Sequence, residues 1–273
     1  MKNFFLYLIY VFCFFNLSCI NSEKKLIKEM KNGNYENIAS FLRSNGNPNL
    51  IVEDESLLFY LIENNLDEQA IEAIKNGADV NWVYSSPDVT ISVFDLVIQK
   101  NNICLEKEIL NHKLKLDDYG LNYFDKITQL YVYKKIDKQF VNVFLSYDYI
   151  KEYLQPREKS LCILAWNWTK DTPEFYNKIY GEKFNHSLDI PVLIYTTAWG
   201  NIEGTKFFID EGFSPFREYE DPVTHEKFNA LEYAEYSKKM MMSHHGDPEC
   251  LTENDEELKE QNKLIEYLRR LTE

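Results

Sequence analysis

The sequence is poor in basic residues relative to acidic ones and holds few of the residues that interrupt helices. It contains 30 Lys and Arg against 44 Asp and Glu, a formal net charge of -14, with only nine glycines and eight prolines. The deficit of positive charge argues against nucleic acid or anionic lipid headgroups as partners. Because 45% of the 273 residues are hydrophobic, the chain is expected to be globular, as one elongated domain or two compact ones.

The short sequence motifs of common enzyme classes are also missing. The sequence holds no G-x-G-x-x-G, no Gly-rich phosphate loop with Lys-Ser/Thr, no H-E-x-x-H and no G-x-S-x-G. Nucleotide binding, zinc-protease chemistry and serine-hydrolase chemistry therefore lack their minimal sequence support. We predict no catalytic residue and no cofactor.

One group of metal-ligand residue types stands late in the chain, at His225, His244, His245, Asp247 and Cys250. Imidazole, carboxylate and thiolate are zinc ligands, but three or four of them must converge on one ion. Adjacent histidines on a helix point about 100° apart and rarely share an ion. We predict a polar loop and no metal site here, and an envelope hydrolase or metal-dependent enzyme remains the alternative.

The N-terminus has the pattern of a secretory signal. Lys2 precedes an unbroken apolar run, Phe4 to Phe15. The run is too short to span a bilayer, for which about 20 residues are needed, and has the length of a signal-peptide core. Export is the expectation that this pattern favours.

The residues that follow, Asn16 to Cys19 (NLSC), resemble the lipobox of bacterial lipoproteins, although Asn16 stands where that motif usually has Leu. The resemblance implies a signal peptide over residues 1-18, a lipidated Cys19 with a short tether over 19-24, and a membrane-anchored protein in the bacterial cell envelope, on the periplasmic face or the cell surface. Ordinary cleaved secretion and an uncleaved anchor are the alternatives.

Three cysteines remain beyond this region, at Cys104, Cys162 and Cys250, and none forms a C-x-x-C pair. Any two of them could pair in an oxidising compartment, and the sequence does not say which. We expect Cys104 and Cys162 to be buried free thiols within helices.

The clearest structural unit is Ser56 to Asn81. Ser56 is predicted to cap a short helix that Asn64 and Asn65 end, and Gly77 is predicted to stop a second short helix. Two helices of this length cannot bury their own apolar faces, so the unit needs similar neighbours.

The unit recurs at a period near 32. Asn65, Gly77 and Asn81 follow Gly33, Gly46 and Asn49 at offsets of 32, 31 and 32. With its close Gly-Ala-Asp-Val-Asn, the pattern resembles ankyrin repeats, which have a period of about 33. The resemblance implies an all-α fold over residues 25-273, an ankyrin-like helical solenoid of about six to seven short helix pairs, degenerate over 112-158.

Later units follow the same pattern. We expect start motifs at Ser92, Ser160, Pro191 and Asn229, a second helix within 166-180, and a closing helix from Asp255 to Leu271 with Leu271 on its apolar stripe. Glycine belongs where the chain turns through a left-handed conformation, and five glycines are predicted to serve this role: Gly33, Gly46, Gly77, Gly200 and Gly212.

In the ankyrin family, partners bind at loop tips and on the concave helix face. The resemblance therefore implies a non-enzymatic protein-interaction scaffold with a protein partner, and an inhibitor or immunity protein against a toxin is an alternative of the same kind. The residues that follow two repeat-closing turns are predicted to bind that partner: Trp82, Tyr84, Phe216, Arg217 and Tyr219. The competing interpretation is that these aromatic side chains pack against neighbouring loops.

Overall fold

The computed structural model describes residues 22–117, 119–181, 191–220, 225–243 and 256–273. It contains 61% helix and 6% strand, which confirms the predicted all-α class. Cys19 and the apolar run before it lie outside the described residues. Among the helices that are described, none combines the length and the apolar character that a bilayer span requires.

Short helices follow one another along the chain, and two-stranded antiparallel hairpins precede the helices α3, α5 and α14. The elements, in chain order, are α1 (22–31), α2 (Ile38–Arg43), β1 (Ile51–Val52), β2 (Glu55–Ser56), α3 (Leu57–Glu63), α4 (Asp67–Lys75), β3 (Val83–Ser85), β4 (Thr90–Ser92), α5 (Val93–Gln99), α6 (Ile103–Asn111), α7 (Gly120–Val132), α8 (Lys138–Phe144), α9 (Asp148–Leu154), α10 (Glu158–Trp166), α11 (Thr172–Ile179), α12 (Val192–Thr197), α13 (Ile202–Asp210), β5 (Tyr219–Glu220), β6 (Lys227–Phe228), α14 (Ala230–Ser243) and α15 (Glu256–Thr272).

The chain divides into two compact units, Met1–Lys115 and Leu116–Glu273. In the first unit, α3 packs on α5, while α2, α4 and α6 pack in a row beside them. The predicted helix starts are confirmed here, since the Ser56 side chain accepts a hydrogen bond from the Phe59 N–H and Ser92 forms a reciprocal capping box with Asp95. Each cap satisfies N–H groups that the first turn of a helix leaves unpaired.

The turns of the first unit repeat with the same backbone geometry. A residue with positive φ lies two positions beyond the first helix of each pair and again beyond the second helix. The two positions are separated by an offset of 12 in each pair, namely Gly33 and Asn45, Asn65 and Gly77, and Asn101 and Lys113. The spacing between the two turns that flank the second helix therefore stays constant through the unit, although α2 has six residues and α4 and α6 have nine each.

Two asparagines connect each pair to the next in the same way. The Asn49 side-chain oxygen accepts the Asp79 N–H at 2.7 Å, and the Asn81 side-chain oxygen accepts the Lys115 N–H at 2.7 Å. Asn49 and Asn81 are equivalent positions, one repeat period apart, and each satisfies a backbone donor of the following closing turn. The recurrence seen in the sequence thus corresponds to a recurring contact.

The prediction for Gly46 was wrong. Asn45, with φ of 62°, takes the left-handed position instead, so Asn45 is the equivalent of Gly77 and all three offsets between the first two helix pairs are 32. Gly46 is required for space, because a Cβ atom built there would lie 2.5 Å from a ring carbon of Phe41.

Replacing Gly46 by alanine is expected to lower the free energy of unfolding by about 1–3 kcal/mol, since the new methyl group overpacks the Phe41 ring. In a Phe41→Leu background the same change should cost less, because the ring carbons are gone. Urea unfolding of the four chains of this cycle measures the coupling between the two sites. Strictly additive effects would contradict the contact.

In the second unit, α7, α10, α12 and α14 pack side by side in that order, and α15 packs on α13 and α14. Gly200 and Gly212 have positive φ, as predicted, again at an offset of 12. Gln261 of α15 is buried and donates to the carbonyls of Thr197 and Ala234 at 3.1 and 2.7 Å. This amide ties α15 to α12 and α14.

Two predictions for this unit were wrong. Trp166 ends α10 and does not begin a second helix, which starts only at Thr172. On α15, the leucines and isoleucine of the predicted stripe are buried except Leu271, which lies in the last turn and is 38% exposed. The capping box predicted at Asn229 is present, with its hydrogen bonds to Glu232 at 2.9 and 3.0 Å.

Candidate functional site

The first pair of predicted binding residues lies on the hairpin of β3 and β4. Tyr84 is on β3, and Trp82 immediately precedes that strand. Both rings pack around the buried Phe59, with centroid distances of 5.2 Å from Trp82 and 6.0 Å from Tyr84. Both side chains are half-buried. The buried part of each ring packs on α3 and stabilises the hairpin.

The second set lies before and on β5, in the other unit. Phe216 is 56% exposed and Arg217 is half-buried, but Tyr219 is only 5% exposed. The expectation that Tyr219 is an exposed tip residue was wrong, because it occupies the inward-facing position of β5 opposite Phe228. Phe216 is the member of this set that offers apolar surface to a partner.

The histidine-rich group is described only at His225. Its ring nitrogen Nδ1 lies 3.1 Å from a carboxylate oxygen of Glu220, on an exposed surface. His244, His245, Asp247 and Cys250 lie outside the described residues. Within the residues that the structure does describe, no three His, Cys, Asp or Glu side chains are placed to hold one metal ion.

A groove of about 600 Å³ lies in the second unit along α7 and α10. Gly120, at the start of α7, lies against Tyr153, shortly before the start of α10, and Asn167, just after α10, donates to Asp125 in the middle of α7. The two helices therefore run in the same direction, and the groove follows them. One end is lined by Arg157 and Lys159, and the other by Trp166 and Tyr195.

We call the second end of this groove, where Trp166 and Tyr195 line it, together with the adjoining Trp199, the aromatic end. Trp166 meets Tyr195 edge to face at 6.1 Å and Trp199 at 5.7 Å between ring centroids. Trp166 is nevertheless 47% exposed and Trp199 is 59% exposed. Two neighbouring indoles that each leave about half their surface in solvent are unusual for side chains of this size.

The opposite end carries cationic side chains. The Arg157 guanidinium lies over the Tyr153 ring, 3.6 Å from its centroid, and also donates to the Tyr153 carbonyl oxygen. Lys159 is exposed on the first turn of α10, and Asp117 lines the same end. With two cations and one carboxylate, this end carries a net positive charge.

Cys162 lies in the wall of the groove, half-buried on α10. Burial, with a smaller contribution from the nearby Glu158 carboxylate, raises the pKa of the Cys162 thiol to about 12. The thiol therefore stays protonated at neutral pH and is a poor nucleophile. Cys104 departs from the expected burial: it is a free thiol exposed on α6, because the inward face of that helix is occupied by Leu105 and Ile109.

A second polar cluster joins α7, α8 and α11. The Tyr131 hydroxyl donates to Asp171, and Lys138 lies 2.8 Å from Asp171 and 2.7 Å from Glu174. The hydrogen bond from Lys138, with that from Tyr131, lowers the pKa of the Asp171 carboxyl. These groups satisfy one another, which is the behaviour of a structural network between helices.

Sequence patterns did not indicate the groove. Its aromatic end joins residues about 30 positions apart, and Trp166 was assigned to a different helix. One local signal was present, since Tyr195 lies on a helix whose remaining positions are apolar or threonine and Trp199 follows four residues later, in the turn after that helix. Two nearby aromatic residues that the hydrophobic core does not fully bury indicate a binding surface.

Comparison of the chain with protein-family models, with curated protein sequences and with solved structures found no match.

Proposed function

We propose that the chain is a non-enzymatic, ankyrin-like repeat protein that binds another protein. Helix pairs whose turns keep a constant offset of 12, a hairpin before α3, α5 and α14, and the repeated asparagine contact at Asn49 and Asn81 support the repeat scaffold. Such helix pairs stabilise one another by stacking and leave one helix row available to partners.

The observation that carries the proposal is the exposed aromatic end of the groove. Tryptophan, tyrosine and arginine dominate the energetics of protein interfaces, because they bury much area at low entropic cost. Trp166 and Tyr195 form such a group on the adjacent helices α10 and α12, with Trp199 in the turn after α12, at one end of a groove whose other end holds Arg157. The protonated thiol of Cys162 supports binding rather than covalent chemistry at this position.

We place the binding site in the groove and not at the hairpin residues that the sequence predicted. Trp82 and Tyr84 have Phe59 as a partner within the chain, and Tyr219 is buried. Phe216 remains exposed and is proposed to lie outside the main contact.

We also propose export and a lipid anchor on Cys19. The first described helix begins at residue 22, and three residues of extended chain span about 10 Å. A lipid on Cys19 would therefore hold the first unit close to the bilayer. Metabolic labelling with an alkyne analogue of palmitate should mark the protein, and Cys19→Ala should remove the label. A protein that stays unlabelled would exclude the anchor.

Protein binding is tested by placing a photo-cross-linker in the groove. Benzoylphenylalanine is introduced at Trp199 in one chain and in another at Phe216, which is exposed on the same unit and does not line the groove. Irradiation of cells that naturally contain the protein should give a discrete heavier adduct from position 199. Position 216 should give none.

Mass spectrometry of the adduct identifies the bound protein. Equal adducts from both positions would indicate random collision, and no adduct from position 199 would contradict binding at the groove.

A further inference from the structure

Asp125 lies in the wall of the groove next to the aromatic end. Its Oδ1 atom accepts hydrogen bonds from the side-chain amides of Asn167 at 3.0 Å and Gln129 at 3.2 Å. Asn167 is fixed in turn by a 3.1 Å bond to Thr128. Because both donors are neutral amides, they orient the carboxylate without neutralising its negative charge.

In the part of the chain that the structure describes, the Asp125 carboxylate forms no ion pair with Lys, Arg or His within 4.0 Å. The cations of the groove are at the other end. Lys159 and Trp166 are seven residues apart on α10, a rise of about 10 Å. An anionic partner at the aromatic end would therefore meet an uncompensated negative charge.

The Trp166 indole lines the same groove as Asp125, and Trp199 packs against that indole. Asn167, which holds Asp125, directly follows Trp166 in the chain, so carboxylate and indole border the same space. Tryptophan attracts ammonium and guanidinium groups over its face within about 6 Å, and more strongly than other aromatic residues do. A fixed carboxylate with exposed indoles favours a Lys or Arg side chain over an apolar one.

The net charge of the whole chain acts in the same direction. With 44 acidic residues against 30 basic ones, the field around the protein attracts a basic segment and raises its rate of encounter. The negative charge of Asp125 and the net negative charge of the chain therefore both favour a basic partner.

We propose that the aromatic end of the groove binds a lysine or arginine side chain of a basic segment in a partner protein. The cation pairs with the Asp125 carboxylate and lies against the indoles of Trp166 and Trp199. This inference rests on the proposed function and narrows the partner to a protein that presents a basic segment.

The test uses the chain from residue 20 to its end and a defined probe, the fluorescein-labelled peptide Gly-Gly-Arg-Arg-Gly-Gly, with Gly-Gly-Glu-Glu-Gly-Gly as its control. Fluorescence anisotropy at about 0.15 M salt, where surface charges are largely screened, should show binding of the arginine probe and none of the glutamate probe. Asp125→Asn should weaken binding about tenfold, the effect of losing one charge-assisted contact.

Asp117→Asn is the matched control, because it removes one carboxylate from the other end of the same groove. Its effect should stay within about twofold. The Asp125→Asn variant retains an acceptor for both amides, and its thermal unfolding should match that of the unsubstituted chain.

The proposal is overturned by an arginine probe that does not bind, by equal binding of the two probes, or by equal losses in the two variants. If one of these results is obtained but position 199 gives a discrete cross-linked adduct, the groove binds a protein through other chemistry. If position 199 also gives no adduct, the proposed function is contradicted as well.

Discussion

Replacing Phe208 by alanine is expected to lower the free energy of unfolding of the second unit by about 3–5 kcal/mol. The Phe208 ring is fully buried, and its centroid lies 5.9 Å from Trp168, 6.1 Å from Tyr176 and 5.8 Å from Phe213. Truncation removes the contacts of a whole ring and leaves a cavity among rigid neighbours. Urea unfolding followed by far-UV circular dichroism measures the loss.

Phe216→Ala supplies the control for that experiment. It removes the same side chain from a position where 56% of its surface is already in solvent, so unfolding should change by no more than about 0.5 kcal/mol. Similar losses for Phe208 and Phe216 would contradict the placement of the aromatic core.

Local signals explain what the sequence predicted correctly in the first unit. The cap at Ser56, the break at Asn65 and the stop at Gly77 each depend on a residue and its immediate neighbours. Such signals act before any tertiary contact forms, and they therefore appear in the sequence as a period. The ends of the helices of the first unit follow from them.

The pattern faded after residue 112 for an identifiable reason. Lys113 and Lys134 take the left-handed turn positions, with φ of 56° and 54°, where glycine or asparagine was expected. A lysine at such a position costs conformational energy that packing must offset, and no local rule reveals it. The steric requirement for glycine at position 46 could not be predicted from local sequence either, because it arises from the Phe41 ring.

The candidate site was harder to predict than the fold because tertiary packing decides which aromatic residues are available. Trp82 was selected for its place after a closing turn, but the sequence cannot show that Phe59 covers part of it. Trp166, which no motif marks, remains about half exposed because the neighbouring helices α7 and α12 leave a groove at that point.

Trp166→Ala is expected to cause the largest loss of binding. Aromatic anchors at the centre of an interface contribute about 2 kcal/mol or more, which corresponds to a loss of affinity of about 30-fold. Trp166 contacts both Tyr195 and Trp199, so its removal also frees the two rings that it orients. Because it is only partly buried, the unfolding transition should change little.

Trp82→Ala is the matched control, a tryptophan predicted from the sequence to bind the partner but packed on Phe59. Its replacement should leave affinity within about twofold while lowering the stability of the first unit by about 1 kcal/mol.

The most direct test of the groove as the binding site is the affinity of the protein identified by cross-linking for these two variants, measured by titration calorimetry. We expect Trp166→Ala to weaken binding by about 30-fold and Trp82→Ala to leave it nearly unchanged. The reverse order, with Trp82 essential and Trp166 dispensable, would place the binding site on the hairpin and contradict the assignment to the groove.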